Sequence, residues 1–147
     1  MSEHRARIEW RNDSHTLVYE TYTRDHTWSF HSIQVPASAA PSYLGSAERV
    51  DPEEAYVAAL SSCHMLTFLA IAAKRKLVVS HYVDDAIGYL EKDDGGRLAI
   101  TRVVLHPEVS FGAGSTVTRS DLESLHHGAH KNCFIANSVK TAVEVDF

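Results

Sequence analysis

At 147 residues the chain suits a single domain, residues 1–147, that buries roughly two thirds of the surface its unfolded form exposes. Its 44% hydrophobic and 22% charged residues exclude disordered and collagen-like classes. Nineteen acidic against fourteen basic residues leave a net charge of −5, which argues against a polyanion, and so against nucleic acid, as the main partner.

The opening stretch, MSEHRARIEWRND, is charged throughout and lacks the apolar core of a secretory signal. No apolar run reads as a membrane span, so the expectation is a cytoplasmic protein with no membrane partner. In such a reducing compartment the two cysteines, Cys63 and Cys133, are not expected to form a permanent bridge. Inert buried thiols, metal ligands and redox chemistry remain.

Arg5–Trp10 and Thr16–Tyr22, separated by Asn12, Asp13 and Ser14, read as a hairpin, and Thr27–Val35 as a strand continuing the meander. The stretch PASAAPSYLGSAERV then mixes Pro, Ala, Ser and Gly without a period, as a loop does. Next, Asp51 caps a helix, Pro52 suits its first turn, and Glu53 and Glu54 favour its positive end. Ala55–Ala73 is apolar on nearly every face and closes on Lys74, Arg75 and Lys76, so a long helix buried almost all round is expected. A small monomer rarely encloses a helix that completely, which asks for a partner.

Two β-rich runs follow, His81–Lys92 and Arg97–Phe111, joined by DDGG, whose glycines permit a tight hairpin turn. TRSDLESL offers a hydroxyl cap with an acidic residue three positions on, and Leu122, Leu125 and Ala129 repeat at helical spacing, predicting a second helix that ends near Gly128–Asn132. After Cys133 and a short FIANSVK segment, VEVDF alternates as a final strand. The sum is an α+β fold with two hairpin-rich sheets around one long apolar helix.

Cys63 sits three turns inside that helix, too deep for the helix N-terminus to lower its pKa, and burial alone raises a thiol pKa. It is either a small packed hydrophobe or a nucleophile with a cation nearby. Arg24, between two strand-like runs in TYTRDHTWSF, is a candidate cation or an exposed turn residue. His64 points about 100° away from Cys63 on a helix, so a packed or solvent-facing histidine is expected there rather than a base. His126, His130 and Cys133 fall at i, i+4 and i+7, which with Cys63 admits a metal site, although no accompanying motif of known mechanism supports it. Glycine-rich phosphate loops and a GxSxG elbow are absent from the sequence.

DPEE, AALSSCHMLTFLA, VDDAIGYLEK, ITRVVLHPEVSF and AHKNCFIANSVK together resemble the OsmC/Ohr family of thiol-dependent organic hydroperoxide reductases, from about Arg24 to the C-terminus. The resemblance implies an intertwined homodimer, two long central helices enclosed by antiparallel sheets, working without metal, haem, flavin or nucleotide cofactors. It also implies reduction of alkyl or lipid hydroperoxides, a sulfenic acid followed by an intramolecular disulfide, and resetting by an external dithiol. By motif, Cys63 resembles the peroxidatic cysteine, Cys133 the resolving cysteine, Glu53 the glutamate of the Pro-Glu helix start and Arg24 the arginine of the N-terminal strand region. Phe134 stands where many members have proline directly after the second cysteine, and the absence of a glycine-rich N-terminal sequence points to the OsmC-like side. The alternatives are an OsmC-fold binding or structural dimer with inert thiols, and the His/Cys metal protein.

Overall fold

A computed structural model describes all 147 residues, which form two compact units, Met1–Ala55 and Tyr56–Phe147. In the first unit, β1 (Arg7–Glu9), β2 (His26–Phe30) and β3 (Ile33–Ala37) make an antiparallel sheet in that order. Two readings of this region are corrected. The run Thr16–Tyr22 is a loop: the Asn12 side-chain Nδ2 donates to the Thr16 carbonyl, the Ser14 backbone amide to Asn12 Oδ1, and the Tyr22 backbone amide to the Val18 carbonyl. Such side-chain bonds to backbone compete with a strand ladder. The run Thr27–Val35 is a hairpin, because the chain turns at His31 and Ser32 with His31 in the left-handed region at φ 52°.

Helix α1 (Pro52–Lys74) starts as its sequence dictates. The Glu54 amide donates to Asp51 Oδ1 at 2.8 Å and the Asp51 amide to Glu54 Oε2 at 3.1 Å, a reciprocal capping box. At its far end Lys76 takes a left-handed φ of 59°, and the amides of Lys76 and Leu77 donate to the carbonyls of Ala73 and Ala72. This is the Schellman arrangement without its usual glycine.

In the second unit the two long β runs form one hairpin broken at the same level in both arms. β4 (Val79–Asp84) pairs with β7 (Pro107–Phe111), and β5 (Ile87–Lys92) pairs with β6 (Leu98–Leu105), both antiparallel. At the break the Asp84 carboxylate accepts the His106 amide at 2.7 Å, a donor removed from the ladder. The Asp93–Gly96 turn closes the hairpin with Gly96 at φ 77°. β8 (Ala142–Val145) adds in parallel to β6, so the chain carries three sheets rather than two. α2 (Arg119–Asn132) opens on a capping box between Thr118 and Asp121.

α1 joins the two hydrophobic cores of the second unit. Its N-terminal half packs Leu60 against Val103 and Leu105 of β6, while Phe68 and Ala72 further along meet Leu125 and Ala129 of α2. Within one chain α1 buries a single stripe, Leu60, His64, Phe68 and Ala72, and leaves Ala59, Ser62, Leu66 and Ala70 exposed, Leu66 at 60%. Burial almost all round is therefore not met by the chain alone, because its other elements cover one side of the helix. The same apolar composition makes α1 long and apolar enough to cross a membrane, correcting the reading that no run reaches that length.

Gly88 on β5 lies so close to α1 that an added Cβ would stand 2.4 Å from Val57 Cγ2. Gly88→Ala is predicted to lower the unfolding free energy by about 1–3 kcal/mol through overpacking, read by urea denaturation.

Candidate functional site

α1 and α2 run antiparallel along their contact, as a ladder of pairs makes plain: Arg75 with Ser124, Ile71 with Gly128, Cys63 with Cys133. Gly128 permits the close approach, since a Cβ there would stand 3.0 Å from Ile71 Cδ1. Cys133 is the C-cap of α2 and Cys63 lies midway along α1, so the two thiols stand close enough to interact, both free. Cys63 is half-buried, whereas Cys133 is 1% exposed.

Burial pushes the Cys133 thiol above its ordinary pKa; the Ala136 amide, donating to Sγ at 3.4 Å, opposes this, and the Cys63 thiol adds to it. Phe134, directly after Cys133, is 81% exposed. The Cys63 carbonyl accepts the Thr67 hydroxyl at 2.8 Å, and two residues before Cys63 the Ser61 hydroxyl donates to Asp84. Leu60 and Phe68 on the same helix are fully buried in the two cores, while Met65 is half-buried.

His64 is packed, not solvent-facing. Its Nε2 lies 3.1 Å from His126 Nδ1, and the rings are nearly parallel, their planes 10° apart. Phe68 and Phe147 enclose the His126 ring at 4.6 and 4.2 Å between centroids. Burial lowers the His64 pKa to about 4, with His130 adding to the effect and Asp84 opposing it. Burial likewise lowers His126 to about 4, helped by His64 and Arg119. The sequence reading missed this pair as a unit. Its signal was the place of His126 between Leu122, Leu125 and Ala129, inside the buried stripe of α2. His130 is exposed, and no three His, Cys, Asp or Glu side chains are gathered as metal ligands, so the set of Cys63, His126, His130 and Cys133 is not assembled.

Arg24 and Glu53 belong to the first unit. The Arg24 guanidinium donates to the carbonyls of Tyr22 and Tyr19, each at 2.7 Å, and lies over the Tyr22 ring at 3.9 Å and the Tyr19 ring at 5.2 Å. Glu53, half-buried in the first turn of α1, makes no ion pair with it within the chain; the Arg49–Asp25 pair at 3.0 Å stands nearby in sequence instead.

Residues 45–147 match the family described as OsmC-like protein. An OsmC-like protein of unknown function from Vibrio cholerae is 49% identical with a TM-score of 0.95, the match covering 99% of each chain. The fold alone is shared with an organic hydroperoxide resistance protein OsmC from Legionella pneumophila, 14% identical with a TM-score of 0.72 over 99% of this chain and 94% of that one. It is shared too with the organic hydroperoxide resistance protein OhrB of Bacillus subtilis, 16% identical with a TM-score of 0.66 over 96% and 97%. No curated protein matches the chain.

The buried histidines make stability depend on pH in a fixed direction. An unfolded chain protonates imidazole near pH ~6.5, and the folded chain only near the lowered values, so unfolding takes up protons between these limits. Stability is complete above about pH 6.5 and declines as pH falls toward 4, by an amount on the order of 3 kcal/mol per histidine. Urea titrations at successive pH values check this; equal unfolding free energies at both ends of that window would contradict it.

Proposed function

The chain belongs to the OsmC-like family, and on that premise we propose that it is a thiol-dependent peroxidase that reduces organic hydroperoxides to alcohols. The observation that carries the reading is the juxtaposition of Cys63 and Cys133, two free thiols of unequal burial. A half-buried thiol can meet a substrate first, and a deeply buried one held protonated stays in reserve beside it. The names of the Legionella and Bacillus proteins support the substrate class.

In the first step the Cys63 thiolate attacks the terminal oxygen of ROOH. The O–O bond breaks, the alkoxide leaves and takes a proton as ROH, and Cys63 becomes a sulfenic acid. In the second, Cys133 loses its proton and attacks the Cys63 sulfur; the hydroxide leaves with that proton as water, and the disulfide closes. An external dithiol then exchanges through a mixed disulfide and restores both thiols. The Ala136 amide at Cys133 Sγ stabilises the negative charge on sulfur as Cys133 ionises.

The activating cation in this reading is Arg24, with Glu53 fixing its guanidinium. Ten residues of helix separate Glu53 from Cys63, roughly 15 Å along the axis and about 80° around it, which bars their direct contact within one chain. Either Arg24 bridges the gap within one chain or the Glu53 of a second chain reaches across a homodimer interface, and we favour the second. The bare stripe of Ala59, Ser62, Leu66 and Ala70 supports such a partner, since an exposed apolar helix face is costly in water. We place the protein in the cytoplasm, where dithiol reductants are available.

Turnover of tert-butyl or cumene hydroperoxide with a dithiol, set against hydrogen peroxide, tests the activity. Cys63→Ser is predicted to abolish turnover, whereas Cys133→Ser consumes about one equivalent and stalls at sulfenic or higher oxides. Equal multiple-turnover rates in the two variants would sink the assignment. Arg24→Ala is predicted to slow oxidation of the reduced protein by the first equivalent of peroxide about tenfold or more, because it removes the cation that stabilises charge at the reacting sulfur, read by stopped-flow peroxide consumption; an unchanged rate would remove Arg24 from the site.

A further inference from the structure

The His64–His126 pair is an oddity that the proposed chemistry does not use. Both rings are buried, at 1% and 2% exposure, and they spend one hydrogen bond on each other. Neither His64 Nδ1 nor His126 Nε2 has a partner. Whichever ring donates, one N–H and one lone pair are left unsatisfied, and each such buried group costs about 1–3 kcal/mol. Two leucines would fill comparable space without that cost. A directional bond does what apolar packing cannot: it sets one axial register between two helices, where a smooth apolar contact can slide. This bond ties α1 to α2 one residue from Cys63 and two helical turns before Cys133.

We propose that His64 and His126 are positioning residues for disulfide closure, their imidazole–imidazole bond holding α1 on α2 in the register that brings Cys63 and Cys133 into contact. The inference deepens the peroxidase reading and takes its second step from it, but the juxtaposition can be measured with no peroxide present. In a glutathione buffer the protein dithiol and oxidised glutathione exchange for the protein disulfide and two reduced glutathiones. Two S–H bonds are lost from the protein, one S–S bond forms there, and the glutathione disulfide is reduced. The equilibrium constant is the effective concentration of one thiol at the other.

The test compares the full-length wild type, the double variant His64→Leu/His126→Leu, and His126→Asn, counting disulfide by mass spectrometry across glutathione ratios and following unfolding in urea. Removing both partners together leaves no orphaned donor or acceptor, so the double variant is predicted to be at least as stable as the wild type. Its effective concentration is predicted to fall at least tenfold, a rise of about 30 mV in the reduction potential. His126→Asn, which offers an amide atom near the place of Nδ1, is predicted to stay within about threefold of the wild type. A purely structural role predicts stability and effective concentration moving together. A folded double variant with an unchanged disulfide equilibrium overturns the proposal, as does one that no longer folds, and so does His126→Asn falling as far as the double variant. Absence of peroxide turnover in the wild type would remove the peroxidase reading and leave this equilibrium standing.

Discussion

The antiparallel contact between α1 and α2 is the constraint on which the rest depends. Cys63 is mid-helix, where it gains nothing from a helix terminus, and Cys133 is a cap residue seventy positions later in the chain. Only the packing of Phe68 and Ala72 on Leu125 and Ala129, with Gly128 letting the backbones close, makes neighbours of the two thiols. The sheets serve this contact indirectly. β4 and β7 lie against the end of α1 that carries Phe68, β6 and β8 against the end that carries Leu60, and the helix is fixed along its length by two separate cores.

The contact also makes the thiols unequal. Folding leaves Cys63 half-buried and closes Cys133 almost completely, and desolvation then holds the second thiol protonated until its neighbour changes. The exposed stripe on the far side of α1 reflects the same sequence choice, a helix apolar on every face of which one chain covers one. Within the chain that stripe stays bare, and the Arg24 guanidinium faces tyrosine carbonyls instead of Glu53.

What was legible in the sequence was local. Asp51 and Glu54 close one capping box, Thr118 and Asp121 another, and Asp93–Gly96 makes the hairpin turn, because each signal is complete within four residues. The OsmC-like fold was legible through motifs around both cysteines. What was not legible depends on contacts far apart in sequence. The Asp84 carboxylate that receives the His106 amide splits two runs that each look continuous. The turn that Asn12, Ser14 and Thr16 make among themselves displaces a strand whose alternation reads well. His64 and His126 find each other across 62 residues, and no spacing rule connects them.

The central claim is that peroxide oxidises the two neighbouring thiols in sequence, and one stoichiometric oxidation tests it most directly. The fully reduced protein is given a single equivalent of cumene hydroperoxide without reductant, then alkylated, digested and examined by mass spectrometry alongside assay of the alcohol. The account predicts one equivalent of alcohol, loss of both alkylatable thiols, and a Cys63–Cys133 disulfide-linked peptide pair. Peroxide left unconsumed, with both cysteines still alkylated, would contradict it.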